Sequence, residues 1–201
     1  RDAWLADPTA AELYFGHIST WDTGGVTSMS YLFCAQSTNW WLNEGCNAAA
    51  ASFNDDISAW DTSSVTRMDS MFLNQSSFNQ SLSNWQVDKV TNMYSMFRQA
   101  KSFNQPIGAW RVDKVTDMSW MFSGTSAFDQ PIGDWRVDQV TAMDGMFDGA
   151  SSFNHPLTDR LGGKGTTTSW MFARPRAVQQ PLNDCLGEQG PNTDSLLNSA
   201  S

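Results

Sequence analysis

The side chains that most often carry enzymatic chemistry are few in this 201-residue chain, and their spacing matches no catalytic motif. Two histidines, His17 and His155, cannot by themselves supply a hydrolase triad or a zinc centre. The glycine-rich segment 162–169 lacks the order of a phosphate-binding loop, and no G-x-S-x-G nucleophile elbow is present. Asp55 and Asp56 are acidic neighbours without the spacing of an EF-hand calcium loop. We therefore expect a protein that is not an enzyme and that holds no cofactor and no metal.

Aromatic side chains are better candidates for a function. Six of them stand at positions that vary between the repeat units described below, so we expect them to face solvent: Tyr31, Trp40, Trp41, Tyr94, Trp120 and Trp170. An exposed aromatic ring among polar side chains is typical of a binding hot spot. The alternative is structural: Trp40 and Trp41 fold back over the first units, and Trp120 and Trp170, two units apart, pack along the convex side.

These residues are positioned by a sequence repeat of 25 residues. Tryptophan recurs at this interval, and valine, methionine and phenylalanine recur with it; the tryptophans are Trp60, Trp85, Trp110 and Trp135. All ten methionines and eleven of the twelve phenylalanines occupy fixed columns. Residues 14–33 fit the same register and are followed by an insertion of 14 residues. The sixth unit is degenerate, with Arg160 in the tryptophan column and Thr168 in the first methionine column.

A fixed period with large apolar residues at fixed offsets is typical of a solenoid, in which neighbouring units cover each other's apolar faces. We expect about six such coils, each with two short strands joined by turns. At about 4.8 Å per coil they form a rod of roughly 30 Å. Trp85, Met96 and Phe103 should then be buried.

Three sets of polar residues have structural interpretations. A threonine column predicts hydroxyl hydrogen bonds between neighbouring strands; it comprises Thr27, Thr66, Thr91, Thr116, Thr141 and Thr166. An asparagine column predicts an amide ladder; it comprises Asn54, Asn79, Asn104 and Asn154, with Asp129 in one unit. Aspartates that alternate with lysine and arginine predict an exposed, salt-bridged edge at Asp88, Asp113 and Asp138.

The chain is expected to be a single solenoid domain over residues 1–201. Residues 1–20 form the N-terminal cap and the first half-coil. Residues 21–185 form the repeats, with an insertion at 34–48, and residues 186–201 form a polar C-terminal tail.

The N-terminal cap is expected to contain a short helix. Asp7 and Pro8 are typical N-cap and first-turn residues and predict a helix that runs to about Tyr14. Three apolar side chains of the cap are expected to cover the first coil: Trp4, Leu5 and Leu13.

Two of the three cysteines lie close together in the chain. Cys34 and Cys46 both fall in the insertion, and a disulfide between them closes a loop of about 13 residues, worth on the order of 3 kcal/mol. We predict this disulfide and expect Cys185 to be a buried free thiol.

Charge and composition limit the partners and the compartment. A net charge of −9 disfavours nucleic acid and anionic membrane surfaces, and no apolar run reaches the roughly 18 residues of a membrane span. Acidic charge, the loop disulfide and few lysines favour an extracellular, cell-surface or organelle-lumen location rather than the nucleus.

Asn74 is a candidate glycosylation site, and a second sequon at Asn79 lies in the asparagine column. The chain begins at Arg1 without a signal-peptide pattern, so we expect any targeting segment to have been removed or to lie outside it.

The unit FNQPIGAWRVDKVTDMSWMF at 103–122 resembles the bacterial-surface BspA-like leucine-rich repeat. It resembles more closely the 25-residue variant of mycoplasma lipoproteins, bacterial surface proteins and marine algal proteins. The opening segment 14–33 is similar to the first unit of algal members, and the resemblance covers about residues 4–186. It implies a curved, right-handed, leucine-rich-repeat-like solenoid, a cell-surface or secreted setting, and a protein-binding or adhesive role. It carries no catalytic residues.

We accordingly expect a non-enzymatic repeat scaffold that binds protein or serves as a structural subunit of a larger assembly. One alternative is a glycan-binding or adhesion module that uses exposed tryptophan and tyrosine. Another is an ice-binding face formed by the threonine column, which requires those threonines to point outward.

Overall fold

The computed structural model describes residues 1–37, 45–157 and 166–173. The predictions for Trp40, Trp41, Cys185 and the C-terminal tail concern positions outside these ranges. No helix in this part of the chain is long and apolar enough to cross a membrane.

Short helices form the N-terminal cap and flank the first unit. In chain order they are α1 (Asp2–Ala6), α2 (Pro8–Phe15) and the 3₁₀ helices Ile18–Thr20 and Ala48–Ser52. Asp7 caps α2, because its carboxylate accepts a hydrogen bond from the Ala10 amide at 3.0 Å. Gly16 ends α2 with a φ of 70°, which glycine adopts without strain. The helix predicted from Pro8 is therefore confirmed, whereas no sequence signal indicated α1.

The cap contacts the repeats through α1 rather than through α2. Trp4 of α1 is buried, and its indole N–H donates to the Asp55 carboxylate at 2.6 Å. Leu5 packs partly buried against the core. The prediction that Leu13 covers the first coil is wrong, because its side chain is exposed. Since Trp4 already covers this end of the core, α2 buries only Ala11.

Successive units are joined by isolated parallel β-bridges. These bridges link, in order, Ser28, Arg67, Asn92, Asp117, Ala142 and Thr167, mostly at intervals of 25 residues. Beside each bridge, successive backbone amides alternate between an acceptor in the next unit and an acceptor in their own unit. The Ser70 amide donates to the Tyr94 carbonyl of the next unit at 2.8 Å, whereas the Met71 amide donates to the Met68 carbonyl of its own unit at 3.3 Å. The described residues therefore contain bridges rather than the two short strands per unit that were expected. The backbone turns too often for a longer ladder, since every unit includes a left-handed residue.

The core consists of the apolar columns of the repeat. Trp85, Met96 and Phe103 are at most 4% exposed, which confirms their predicted burial. The indole N–H groups of the tryptophan column donate to carbonyls of the preceding unit at 2.8–3.2 Å. The phenylalanines form two adjoining stacks. Phe97 and Phe103 lie 4.0 Å apart between ring centroids, and each stacks on its equivalent in the next unit at 5.8 and 6.2 Å.

The threonine and asparagine columns form hydrogen-bonded ladders. The Thr91 hydroxyl donates to the Thr66 carbonyl at 3.2 Å, and the equivalent bonds of its neighbours measure 3.0–3.1 Å. The backbone N–H of Asn104 donates to the side-chain oxygen of Asn79 at 2.9 Å, and the equivalent bond recurs from unit to unit. Both ladders agree with the sequence prediction.

The insertion is closed by a disulfide between Cys34 and Cys46, as predicted. The buried side chain of Gln75, from the following unit, holds the two places where the inserted segment leaves and rejoins the repeat. Its amide nitrogen donates to the carbonyls of Phe33 and Ala50. The two described ends of the insertion are therefore held together both covalently and by a buried amide.

Candidate binding surface

Four of the six aromatic residues predicted to face solvent lie in the described part of the chain: Tyr31, Tyr94, Trp120 and Trp170. Trp170 is 47% exposed, whereas Tyr94 and Trp120 are half-buried. Trp120 and Trp170 belong to a column of left-handed residues that also contains Tyr31, Ser70, Ser95 and Gly145. Trp40 and Trp41 lie outside the described residues.

The ring of Trp120 is packed against its neighbouring units. The guanidinium carbon of Arg98, in the unit before, lies 5.0 Å from the ring centroid in a cation–π geometry. In the unit after, the ring lies over Gly145, where an added Cβ would come within 2.3 Å of it. These contacts favour the structural interpretation of Trp120 over a binding role.

The candidate glycosylation residue Asn74 is also engaged in the fold. Its backbone has a φ of 62°, and its side-chain nitrogen donates to the Ala35 carbonyl at 3.0 Å. A glycan would replace one of the two protons of that nitrogen and would have to fit beside the Ala35 carbonyl. Asn79 is exposed, and its side-chain oxygen accepts the ladder bond from the Asn104 backbone amide, so its side-chain nitrogen is more accessible to glycosylation than that of Asn74.

A surface that the sequence did not indicate lies on the N-terminal cap. Leu13, Tyr14 and Phe15 at the end of α2 are 84%, 82% and 62% exposed. With Trp170 they are the large apolar side chains that the described residues expose. Because contiguous exposed apolar groups are typical of interaction sites, we treat these three residues together as the cap patch. The sequence feature that could have indicated them is that the three residues are consecutive, because a helix cannot turn three consecutive side chains toward the core.

A groove of about 500 Å³ opens beside the cap patch, a volume within the range of ligand-binding clefts. It is lined by Arg1, Ala3, Phe15, Thr20, Trp21 and Asp22. The Trp21 ring is held in place, since its indole N–H donates to the Gly16 carbonyl at 3.2 Å and its centroid lies 5.9 Å from that of Trp4 in a T-shaped arrangement. Trp21 stands in the tryptophan column but is only half-buried, because Trp4 rather than a complete repeat unit covers it.

The N-terminal third of the sequence, which contributes the lining of this groove, is acidic. Residues 1–66 contain eight of the 21 acidic residues and one of the 12 lysines and arginines. That one cation, Arg1, donates to the Asp2 carboxylate at 2.7 Å and to the carbonyls of Tyr31 and Leu32 at 3.3 Å. The hydrogen bond from Arg1 lowers the pKa of Asp2 below its usual range. The positive charge of Arg1 is thus already paired.

Other carboxylates of this end are stabilised in their charged form. Hydrogen bonds from Ser58 lower the pKa of Asp56, and hydrogen bonds from Ser63 lower the pKa of Asp61. Asp22 lines the groove itself. Among the described residues, no three His, Cys, Asp or Glu side chains are placed to share a metal ion.

The middle of the chain pairs its charges instead. Arg136 lies 3.5 Å from Asp113 and 3.8 Å from Asp138, which confirms the predicted salt-bridged edge at these two of its three aspartates. Arg67 donates to Asp69 at 3.0 Å, and this hydrogen bond raises the pKa of Arg67. The acidic surplus of the sequence is therefore concentrated in residues 1–66.

The repeat columns also connect the chain to known sequences. The model of a family described as "Mycoplasma protein of unknown function, DUF285" matches residues 9–114 and, a second time, residues 106–201. The chain belongs to this family. No curated protein and no solved structure matches it. The first DUF285 match includes the cap patch, whereas α1 precedes it.

The threonine ladder of this DUF285 chain is a second regular surface. Its members at 27, 66, 91, 116 and 141 are exposed. The hydroxyl protons of Thr66, Thr91, Thr116 and Thr141 are donated to carbonyls of the preceding unit, so their oxygen lone pairs remain available to solvent. The column therefore presents a periodic row of polar groups in fixed orientations.

Proposed function

We propose that the protein is a non-enzymatic repeat scaffold that binds a protein partner or packs as a subunit of a larger assembly. The observation that carries this proposal is the cap patch, because three adjacent side chains of Leu13–Phe15 leave apolar surface in water. The distinctive residues elsewhere are used in packing: the tryptophan, methionine and phenylalanine columns supply most of the buried core.

We further propose that the stacked units form a right-handed solenoid of the BspA-like, leucine-rich-repeat type. The regular bridges between successive units support this fold. An extracellular, cell-surface or lumenal location is the matching proposal for the compartment. The disulfide between Cys34 and Cys46 supports it, because such bonds persist in oxidising surroundings.

The experiment is a partner capture with the tagged chain under non-denaturing conditions, analysed beside its oligomeric state in solution. We expect a partner retained in a fixed ratio, and loss of that partner in the double variant Leu13→Gln/Phe15→Gln. The matched control is Trp170→Gln, which removes an exposed apolar ring far along the chain and should retain the partner. A chain that captures nothing reproducibly and stays monomeric at high concentration would overturn the proposal.

An ice-binding face is the second candidate, and the outward exposure of the threonine column favours it. Ice crystals grown with the protein would become faceted, and Thr91→Lys/Thr116→Lys would abolish the effect. Crystals of ordinary shape with the unaltered protein would dismiss this candidate. Glycan binding has less support, because contacts from Arg98 and Gly145 occupy the Trp120 ring.

A further inference from the structure

We propose that the cap patch and its groove form a docking site for a basic, amphipathic segment of a partner protein. This inference rests on the proposed protein-binding function and adds to it the place of binding and the chemistry of the partner. Three properties of the surface carry it: exposed apolar groups, a preformed groove and an unbalanced negative charge.

The exposed apolar groups are adjacent at the C-terminal end of α2. Leu13, Tyr14 and Phe15 are consecutive, and the rings of the last two lie 6.4 Å apart. Phe15 also lines the groove, so the exposed patch continues into a concave surface. An amphipathic segment would cover the patch with its apolar face and place a side chain in the groove.

The groove exists before any partner arrives. Trp21 is fixed by its hydrogen bond to Gly16 and by the ring of Trp4. Asp7 and Gly16 cap the two ends of α2, which sets the direction of the helix that carries the patch. A preformed surface spends little of the binding free energy on ordering itself.

Charge selects a basic partner over a second copy of this chain. The surface belongs to a segment with eight acidic residues and one paired arginine, and Asp22 stands in the groove. Two copies that met through this face would bring two acidic surfaces together, which is unfavourable. Lysine or arginine beside the apolar face of a partner would instead meet carboxylates.

The test uses the full chain and three synthetic helical peptides in fluorescence anisotropy titrations at low and physiological salt. The probe has leucine on one face and lysine on the other. One comparator replaces each lysine by glutamate, and the second keeps the lysines but replaces each leucine by serine. We expect saturable one-to-one binding of the leucine–lysine peptide, at least about tenfold tighter than either comparator and weakened by salt.

Protein variants locate the site. Leu13→Gln/Phe15→Gln should weaken binding by about tenfold or more, Tyr14→Gln by less, and Asp22→Asn should reduce the salt dependence. These side chains are exposed, so the variants should unfold like the parent, which circular dichroism checks. Trp170→Gln is the matched control and should bind like the parent.

Several outcomes would overturn the inference. Equal binding of the lysine–serine peptide would mean that charge alone attracts the probe. Equal binding by Leu13→Gln/Phe15→Gln and the parent would place binding elsewhere, and self-association abolished by that variant would identify a second copy as the occupant. If the same variant still retains a native partner, the scaffold function stands and this site alone fails.

Discussion

The substitution Gly145→Ala tests whether Trp120 is locked between neighbouring units. Gly145 has a φ of 62°, and a Cβ there would lie 2.3 Å from the Trp120 ring. Ser95 holds the equivalent position two units earlier with a φ of 53°, so a left-handed backbone does not by itself demand glycine. The difference lies in the preceding unit, where Ser95 follows a serine, Ser70, and Gly145 follows a tryptophan.

Two costs add in this variant. A left-handed alanine costs about 1–2 kcal/mol, and forcing a methyl group into a packed ring costs about 1–3 kcal/mol, so the free energy of unfolding should fall by about 2–5 kcal/mol. In a Trp120→Ser background only the backbone cost remains, which leaves a coupling energy of about 1–3 kcal/mol. Gly149 is the matched control. Its φ is 70°, but the nearest atoms to an added Cβ are 3.8 Å away, so Gly149→Ala should show the backbone cost alone.

The assay is urea unfolding monitored by circular dichroism. It compares the parent with the single variants Gly145→Ala, Trp120→Ser and Gly149→Ala and with the double variant Gly145→Ala/Trp120→Ser. The double-mutant cycle separates the contact from the loss of the tryptophan itself. The reasoning is refuted if Gly145→Ala costs the same with and without Trp120. It is equally refuted if Gly149→Ala costs as much as Gly145→Ala.

Three further predictions concern the core, the loop and acid stability. Trp110→Phe removes the indole N–H that donates to the buried Leu82 carbonyl at 3.1 Å, and should lower the free energy of unfolding by about 1–3 kcal/mol in urea, so an unchanged midpoint would contradict it. Reducing the Cys34–Cys46 disulfide should cost on the order of 3 kcal/mol, seen as a lower melting temperature, and reductant should not affect C34A/C46A. The lowered pKa of Asp56 contributes stability that is present above the ordinary aspartate pKa and is lost as pH falls through the folded-state value. Asp56→Asn should therefore flatten the decline in melting temperature below about pH 4, and an identical decline would refute this.

The repeated part of the fold could be predicted because each column is represented several times. Burial of Trp85, Met96 and Phe103 follows from a period that places large apolar residues at fixed offsets, whatever the local backbone. The threonine ladder follows from the same register. The disulfide could be predicted from the placement of Cys34 and Cys46 in one short insertion.

The cap could be predicted only in part. The N-cap and proline signals located α2, but α1 has five residues and is too short for a periodic pattern. The sequence predicted that Trp4, Leu5 and Leu13 cover the first unit together. Trp4 and Leu5 pack against the core as predicted, whereas Leu13 does not, and the end of α2 stays exposed.

The residues with a left-handed backbone could not be predicted from the sequence either. An aromatic residue with a positive φ is disfavoured on its own, and nothing in the type of Trp120 or Trp170 indicates it. The conformation is required by the backbone path that every unit repeats. What the sequence does contain is the compensation, because Gly145 stands one period after Trp120 and leaves space for its ring.

This compensation separates two kinds of surface aromatic residue. Trp120 lies over Gly145, and Tyr31 lies against Gly45, where an added Cβ would be 3.4 Å from its ring. Both rings therefore have a partner within the stacked chain, and packing explains their presence. Tyr14 falls in the register of the buried phenylalanine column, but it lies in α2 and is 82% exposed, so contacts between units do not account for the cap patch. Packing between repeats is thus a sufficient reason for Tyr31 and Trp120, whereas Tyr14 and Phe15 require a reason from outside the fold.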